Sequence, residues 1–119
     1  MEKPHKKLDV WQMAMDLIIE IYRITESFPK EEKYGLSNQL RRAAVSVPSN
    51  IAEGAARNTK KEFVNYLHMA QGSLSELDTQ LELAKRLGML DGKSWEDLDS
   101  VLLRVDKMLT GLIRRERNH

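Results

Sequence analysis

The chain has no cysteine among its 119 residues. That excludes disulfides, thiolate metal sites and a cysteine nucleophile, and it suits a reducing compartment. Histidine is nearly as scarce. His5 and His119 lie near the chain ends, leaving His68 alone in the middle. Three residues before His68 stands Asn65, not an acid. The Glu-x-x-His pairs of di-iron bundles are therefore missing, as is any His-Glu-x-x-His. His68 reads as a surface or seam residue. No nucleophile elbow is present. Glu53-Gly54-Ala55 is neither a Walker nor a dinucleotide fingerprint. No catalysis, cofactor or metal is expected.

Long apolar runs are also missing. None approaches the ~20 residues of a membrane span. The start, MEKPHKKLDV, lacks the apolar core and cleavage site of a signal peptide. A cytoplasmic location is expected. Net charge is only +1, although 31% of residues are charged. The bulk balance thus points to no partner, and the composition is that of a soluble globular chain. One domain over 1–119 is expected, with a frayed basic arm at 1–7 and a polar tail at 116–119.

What is present is helical periodicity. Val10, Ala14, Leu17, Ile21, Ile24 and Phe28 repeat at intervals of 4 and 3, with Trp11, Met15, Ile18 and Tyr22 in an adjacent row. Together they give a helix with a wide apolar face, ending near Ser27 before Pro29. Asp9 and Gln12 have capping-box spacing. Lys30 to Lys33 is a charged loop. Thr59 and Glu62 form another capping box and open the longest helix, which reaches about Leu87. Its seam is Phe63, Leu67, Ala70, Leu74, Leu77, Leu81 and Ala84. Gly72 in mid-helix suggests close approach of another backbone, and Gly88 is a good stop. Ser94 and Asp97 resemble a third box. Trp95, Leu98, Leu102, Val105, Leu109 and Leu112 carry the last helix to about Arg115. Four amphipathic segments with short connections predict an all-α, antiparallel up-down-up-down four-helix bundle.

The stretch Tyr34–Arg57 is the unusual one. Leu36, Leu40, Ala44, Val47, Ile51 and Ala55 make its core stripe. Gln39, Arg42, Ser46, Asn50, Glu53 and Arg57 make a polar stripe, and Val45, Ser49, Ala52 and Ala56 are small. With almost no long charged side chain between Ala43 and Ala52, this helix reads as covered on most sides. Two readings of the polar stripe stand. Its side chains hydrogen-bond neighbouring helices or form a subunit seam of Gln39, Ser46, Asn50 and Glu53, with Arg42 and Glu53 paired through bridging Ser46 and Asn50. Alternatively, it is a polar ligand site. Pro48 either kinks the helix near Ala44 to Val47 or opens a second helix.

Charge is unevenly distributed. Arg41 to Glu62 holds five basic residues against two acidic, Ser73 to Ser100 seven acidic against three basic, and both termini are basic. Several copies of such a dipolar protomer can present a one-signed surface. The best candidate site is Arg57, Lys60 and Lys61 at a helix N-terminus, where backbone N–H groups favour phosphate. Arg41 and Arg42 belong to the same basic set, and Tyr66 offers a stacking face. The alternative is an ordinary solvated loop.

Several blocks carry a family resemblance: Leu8-Asp-Val-Trp-Gln12, Ile21-Tyr22, Phe28-Pro29, Tyr34-Gly-Leu36, Gln39-Leu-Arg-Arg-Ala43, Ser46-Val-Pro-Ser-Asn-Ile-Ala-Glu-Gly54, Phe63 and Gly72-Ser-Leu-Ser-Glu-Leu77. Over roughly residues 8 to 90 the chain resembles the four-helix-bundle proteins encoded in intervening sequences of bacterial 23S ribosomal RNA genes. The resemblance implies an antiparallel bundle assembling as a pentameric ring. It also implies a fold similar to the accessory protein of diversity-generating retroelements, a basic pentameric barrel that works with a reverse transcriptase and nucleic acid. Two functions follow as expectations. One is a non-enzymatic homo-oligomer contacting RNA or a ribonucleoprotein through Arg41, Arg42, Arg57, Lys60 and Lys61. The other is a structural or protein-interaction oligomer with no nucleic-acid contact.

Overall fold

The computed structural model describes residues 3–32 and 35–118. Lys33, Tyr34, His119 and the first two residues of the basic arm lie outside these. Four helices follow in order: α1 (Asp9–Glu26), α2 (Leu36–Ala55), α3 (Lys60–Arg86) and α4 (Gly92–Arg117). Short 3₁₀ turns, Pro4–Lys7 and Lys30–Glu32, precede α1 and α2. The turn Pro4–Lys7 packs beside α1 and α2. Each helix packs on its sequence neighbours and α4 closes onto α1, while the diagonal pairs do not meet among the described residues. The result is the expected all-α antiparallel four-helix bundle, 46 × 25 × 20 Å.

The core follows the apolar periodicity. Leu17, Ile21, Leu40, Ile51, Leu67, Leu77, Leu81 and Leu109 are completely buried. Full burial of such a side chain is worth about 1.5–3 kcal/mol relative to exposure. The adjacent apolar row of α1 stays nearer the surface: Trp11 and Ile18 are half-buried, while Met15 and Tyr22 are exposed. Ile24 is only half-buried, and Thr25 is buried in its place. The Thr25 hydroxyl donates to the Ile21 carbonyl, which makes a polar residue acceptable there. In α3, Val64 takes the buried place expected of Phe63, and Gln80 is buried with its amide donating to Glu76.

Helix ends explain the boundaries. The Thr59 hydroxyl accepts from the Glu62 amide and so opens α3 as expected. Gly88 at φ 77° closes it, with Gly88 N–H donating to Lys85 O and Met89 N–H to Ala84 O. Two predicted boxes are not formed. Asp91, not Ser94, caps α4 by accepting from the Ser94 amide and hydroxyl. Leu8 stands at the cap of α1, and Gln12 instead donates to the Lys6 carbonyl. Glu32 reaches from the preceding turn to accept from the Leu36 amide and start α2.

α2 runs unbroken through Pro48, so Pro48 opens no second helix. Around it Ser46 donates to Ala43 O, Ser49 to Val45 O and Asn50 to Ser46 O. Short polar side chains that bond back to their own helix carbonyls let the helix accommodate a missing backbone donor. The close approach of backbones falls at Gly54, not Gly72. A Cβ on Gly54 would lie 2.6 Å from Tyr66 Cβ and 3.0 Å from Phe63 Cδ1, whereas one on Gly72 would meet nothing within 4 Å. Gly54→Ala is therefore expected to destabilise the bundle by about 1–3 kcal/mol through overpacking. Gly72→Ala is expected to stabilise it by up to about 1 kcal/mol through helix propensity. Urea denaturation of the two variants checks both signs.

Candidate nucleic-acid interface

Antiparallel topology gathers separate basic segments at one end of the bundle. The start of α1, the α2–α3 corner and the end of α4 share this pole. Lys3, Lys6 and Lys7 lie there on the N-terminal turn, all exposed. The corner brings Arg57, Lys60 and Lys61, and α4 ends in Arg114, Arg115 and Arg117, again exposed. Arg117 reaches across to α3, its Nη2 3.0 Å from His68 Nε2. The acids of this pole are Asp9, Glu53, Glu62 and Glu116. Glu53 lies 3.7 Å from Arg57, and the Thr59 hydroxyl donates to Glu62. Cations therefore dominate the pole.

Arg57 is held rather than free to swing. It donates to the Tyr66 hydroxyl at 2.6 Å, and its guanidinium sits 4.9 Å from the Tyr66 ring centre. The face of Tyr66 is thus covered by Arg57, against the expectation of an open stacking surface. Arg41 and Arg42 are not brought to this pole. At 1.5 Å per residue they lie about 20 Å up α2 from Ala55. Arg41 donates to Thr25 Oγ1 at 2.8 Å and to the Tyr22 carbonyl, with its guanidinium over the Tyr22 ring. It sits at the negative end of the α1 dipole. Arg42 is exposed and makes no ion pair among the described residues.

Of the predicted seam residues, Ser46 and Asn50 are turned back onto their own helix, and Gln39 stands exposed on its surface. Glu53 approaches Arg57 rather than Arg42. The bridge from Arg42 to Glu53 through Ser46 and Asn50 is not formed. Instead Arg42 and Ser46 line a groove between α1 and α2 with Tyr22, Val45 and Ser49.

A second polar feature is one the sequence pattern did not single out. Asp78, Asp99 and Asp106 line a cleft of about 400 Å³ between α3 and α4. Gln71 donates to Asp106 and Thr110 at its edge. Burial raises the Asp78 pKa above its ordinary value, and the neighbouring Asp99 and Glu82 charges raise it further. The seven-residue spacing of Asp99 and Asp106 was the available signal, since it puts both on one face of a helix. No group among the described residues could hold a metal ion. No helix among them is long and apolar enough to cross a membrane.

Fold and surface together define an antiparallel four-helix bundle with its charge separated along the long axis. The chain matches the 23S rRNA-intervening sequence protein family over residues 6–111 and belongs to it. Among solved structures it is similar to a protein of unknown function from the S23 ribosomal protein family of Bacteroides thetaiotaomicron VPI-5482. The two share 23% identity over 88% of this chain and 95% of that one, with a TM-score of 0.82. This likeness concerns the fold. No curated protein matches the chain.

The acidic cleft has a pH signature. A raised folded-state pKa means that ionised Asp78 costs stability at neutral pH, and that the cost disappears as pH falls through the folded pKa and then the unfolded value. Asp78→Asn is expected to raise the unfolding midpoint at pH 7 and to lose this advantage near pH 3. Thermal melts across that range check the sign.

Proposed function

We propose that this protein is a non-enzymatic, cytoplasmic homo-oligomer that contacts RNA through its basic pole. The observation that carries this reading is the convergence of three basic segments, far apart in sequence, on one end of the bundle. Closely grouped Lys and Arg side chains replace the counterions condensed on a polyphosphate, and their release favours binding. The exposed start of α3 adds backbone N–H groups and a positive dipole end beside Arg57, Lys60 and Lys61. The fixed Arg57 suits a phosphate contact more than base stacking. The family's description links its members to intervening sequences of 23S rRNA, which makes structured RNA the first ligand to test. The family resemblance supports five copies per assembly, and each copy adds a basic pole.

The competing reading is a protein-interaction oligomer without nucleic-acid contact. The exposed Met15, Ile19, Tyr22 and Val45 favour it, because apolar patches mark protein contacts. A mobility-shift titration with structured RNA at several salt concentrations separates the two. Binding is expected to weaken linearly on log–log axes. Lys60→Glu with Lys61→Glu is expected to weaken it at least tenfold, and so is Arg114→Glu with Arg115→Glu. Removing one phosphate-neutralising cation should reduce the salt slope by about 0.7–0.9. Lys93→Glu, at the opposite pole, should leave binding unchanged. An oligomer that shifts no RNA even at low salt would transfer the function to protein partners.

A further inference from the structure

The bundle has two opposite sides whose chemistries are complementary. Because the diagonal helices do not meet, the α1–α2 side and the α3–α4 side face away from each other. The α1–α2 side carries a groove of about 550 Å³ lined by Tyr22, Arg42, Val45 and Ser49. A second hollow of about 400 Å³ continues it past the shared Val45 and Ser49. Ile19, 57% exposed, and Tyr22, 41% exposed, stand beside it. The α3–α4 side carries the cleft with three aspartates and no lysine or arginine in its lining. Leu103, 53% exposed, rises at its rim.

The heights of these features also agree. Measured from the basic pole at 1.5 Å per residue, Arg41 and Arg42 lie about 20 Å up α2 and Asp78 about 27 Å up α3. Gln71, which holds Asp106, lies about 17 Å up α3. The cations on one side therefore fall within the level of the carboxylates on the other.

We infer that these sides form one head-to-tail contact between parallel copies of this chain, the α3–α4 cleft of one copy seating on the α1–α2 groove of the next. Arg42 enters the cluster of Asp78, Asp99 and Asp106, and Leu103 packs against Val45 and the small Ser49. A two-fold pairing of the α1–α2 side with itself would instead set Arg41 and Arg42 near the same cations of its partner, which like-charge repulsion opposes. A heterologous contact repeats from copy to copy, and closes as a ring when the turn per step divides the circle. Parallel copies place every basic pole on the same side of the assembly. The carboxylate repulsion around Asp78 is relieved when a neighbour's guanidinium arrives.

The proposed pairing rests on the reading above that the protein self-associates, and a charge swap tests the two separately. Arg42→Glu and Asp99→Arg are made singly and together in the full chain, with circular dichroism to verify helix content. Mass is read by light scattering. Each single reversal is expected to lower the mass toward the 13.8 kDa monomer. The double variant carries both reversals, so opposite charges meet again across the contact, and it is expected to restore the assembly. A wild-type monomer would overturn self-association itself. An oligomeric wild type whose mass ignores both single reversals would overturn only these two faces. Dissociation by both single variants without recovery in the double variant would show that the residues do not face each other, and would equally overturn the proposed pairing.

Discussion

The closeness of α2 and α3 at Gly54 is the constraint on which the proposed interface depends. The α2 backbone passes so near Tyr66 and Phe63 that no β-carbon fits between them. This sets the depth at which α2 ends and leaves only residues 56–59 to reverse the chain. Within that short corner Arg57 falls onto the Tyr66 ring and hydroxyl, and Thr59 caps the next helix. A wider helix separation would release Arg57 from Tyr66 and set Lys60 and Lys61 elsewhere. Packing of one small residue thus fixes the positions of three cations.

Charge separation in the folded molecule is a consequence of topology. Basic residues occur at the start, middle and end of the chain, and up-down-up-down winding returns to the same pole at each of these points. The intervening acids, such as Glu26, Glu31, Glu82 and Asp97, fall toward the opposite pole. The ion pairs themselves add little, because Arg23–Glu20, Arg86–Glu82 and Lys93–Asp97 are exposed and each is worth about 1 kcal/mol or less. The summed field has the larger consequence. It extends about one Debye length, ~8 Å at physiological ionic strength, which is enough to favour a polyanion approaching one end of the molecule. Mutual repulsion at the basic pole opposes folding, and the continuous apolar core of all four helices offsets it.

Much of the architecture was legible in the sequence, since burial imposes a regular spacing. The stripes of Leu36, Leu40, Ala44, Val47 and Ile51, and of Leu98, Leu102, Val105 and Leu109, are buried as their periodicity required. The Thr59 cap and Gly88 stop were legible because their chemistry is local. Asp91 was less so, because a capping oxygen three residues upstream competes with a Ser-x-x-Asp pattern. Contacts between helices were the least legible. Nothing along the chain says that Gly54 meets Tyr66 while Gly72 faces open space, or that Arg41 crosses to Thr25. Of the candidate cations, Arg57, Lys60 and Lys61 are neighbours in sequence and stay neighbours in space. Arg41 and Arg42 are carried away by the length of α2, and the terminal cations join the pole only through the fold.

The proposed RNA contact is confined to one end of the molecule. Photo-crosslinking of the purified protein to structured RNA, followed by mass-spectrometric mapping of the attached peptides, tests this directly. Adducts are predicted on peptides spanning residues 3–7, 57–61 and 114–117, with none on the α3–α4 loop and the start of α4. Adducts concentrated at that opposite end, spread evenly over the surface, or absent at low salt would contradict it.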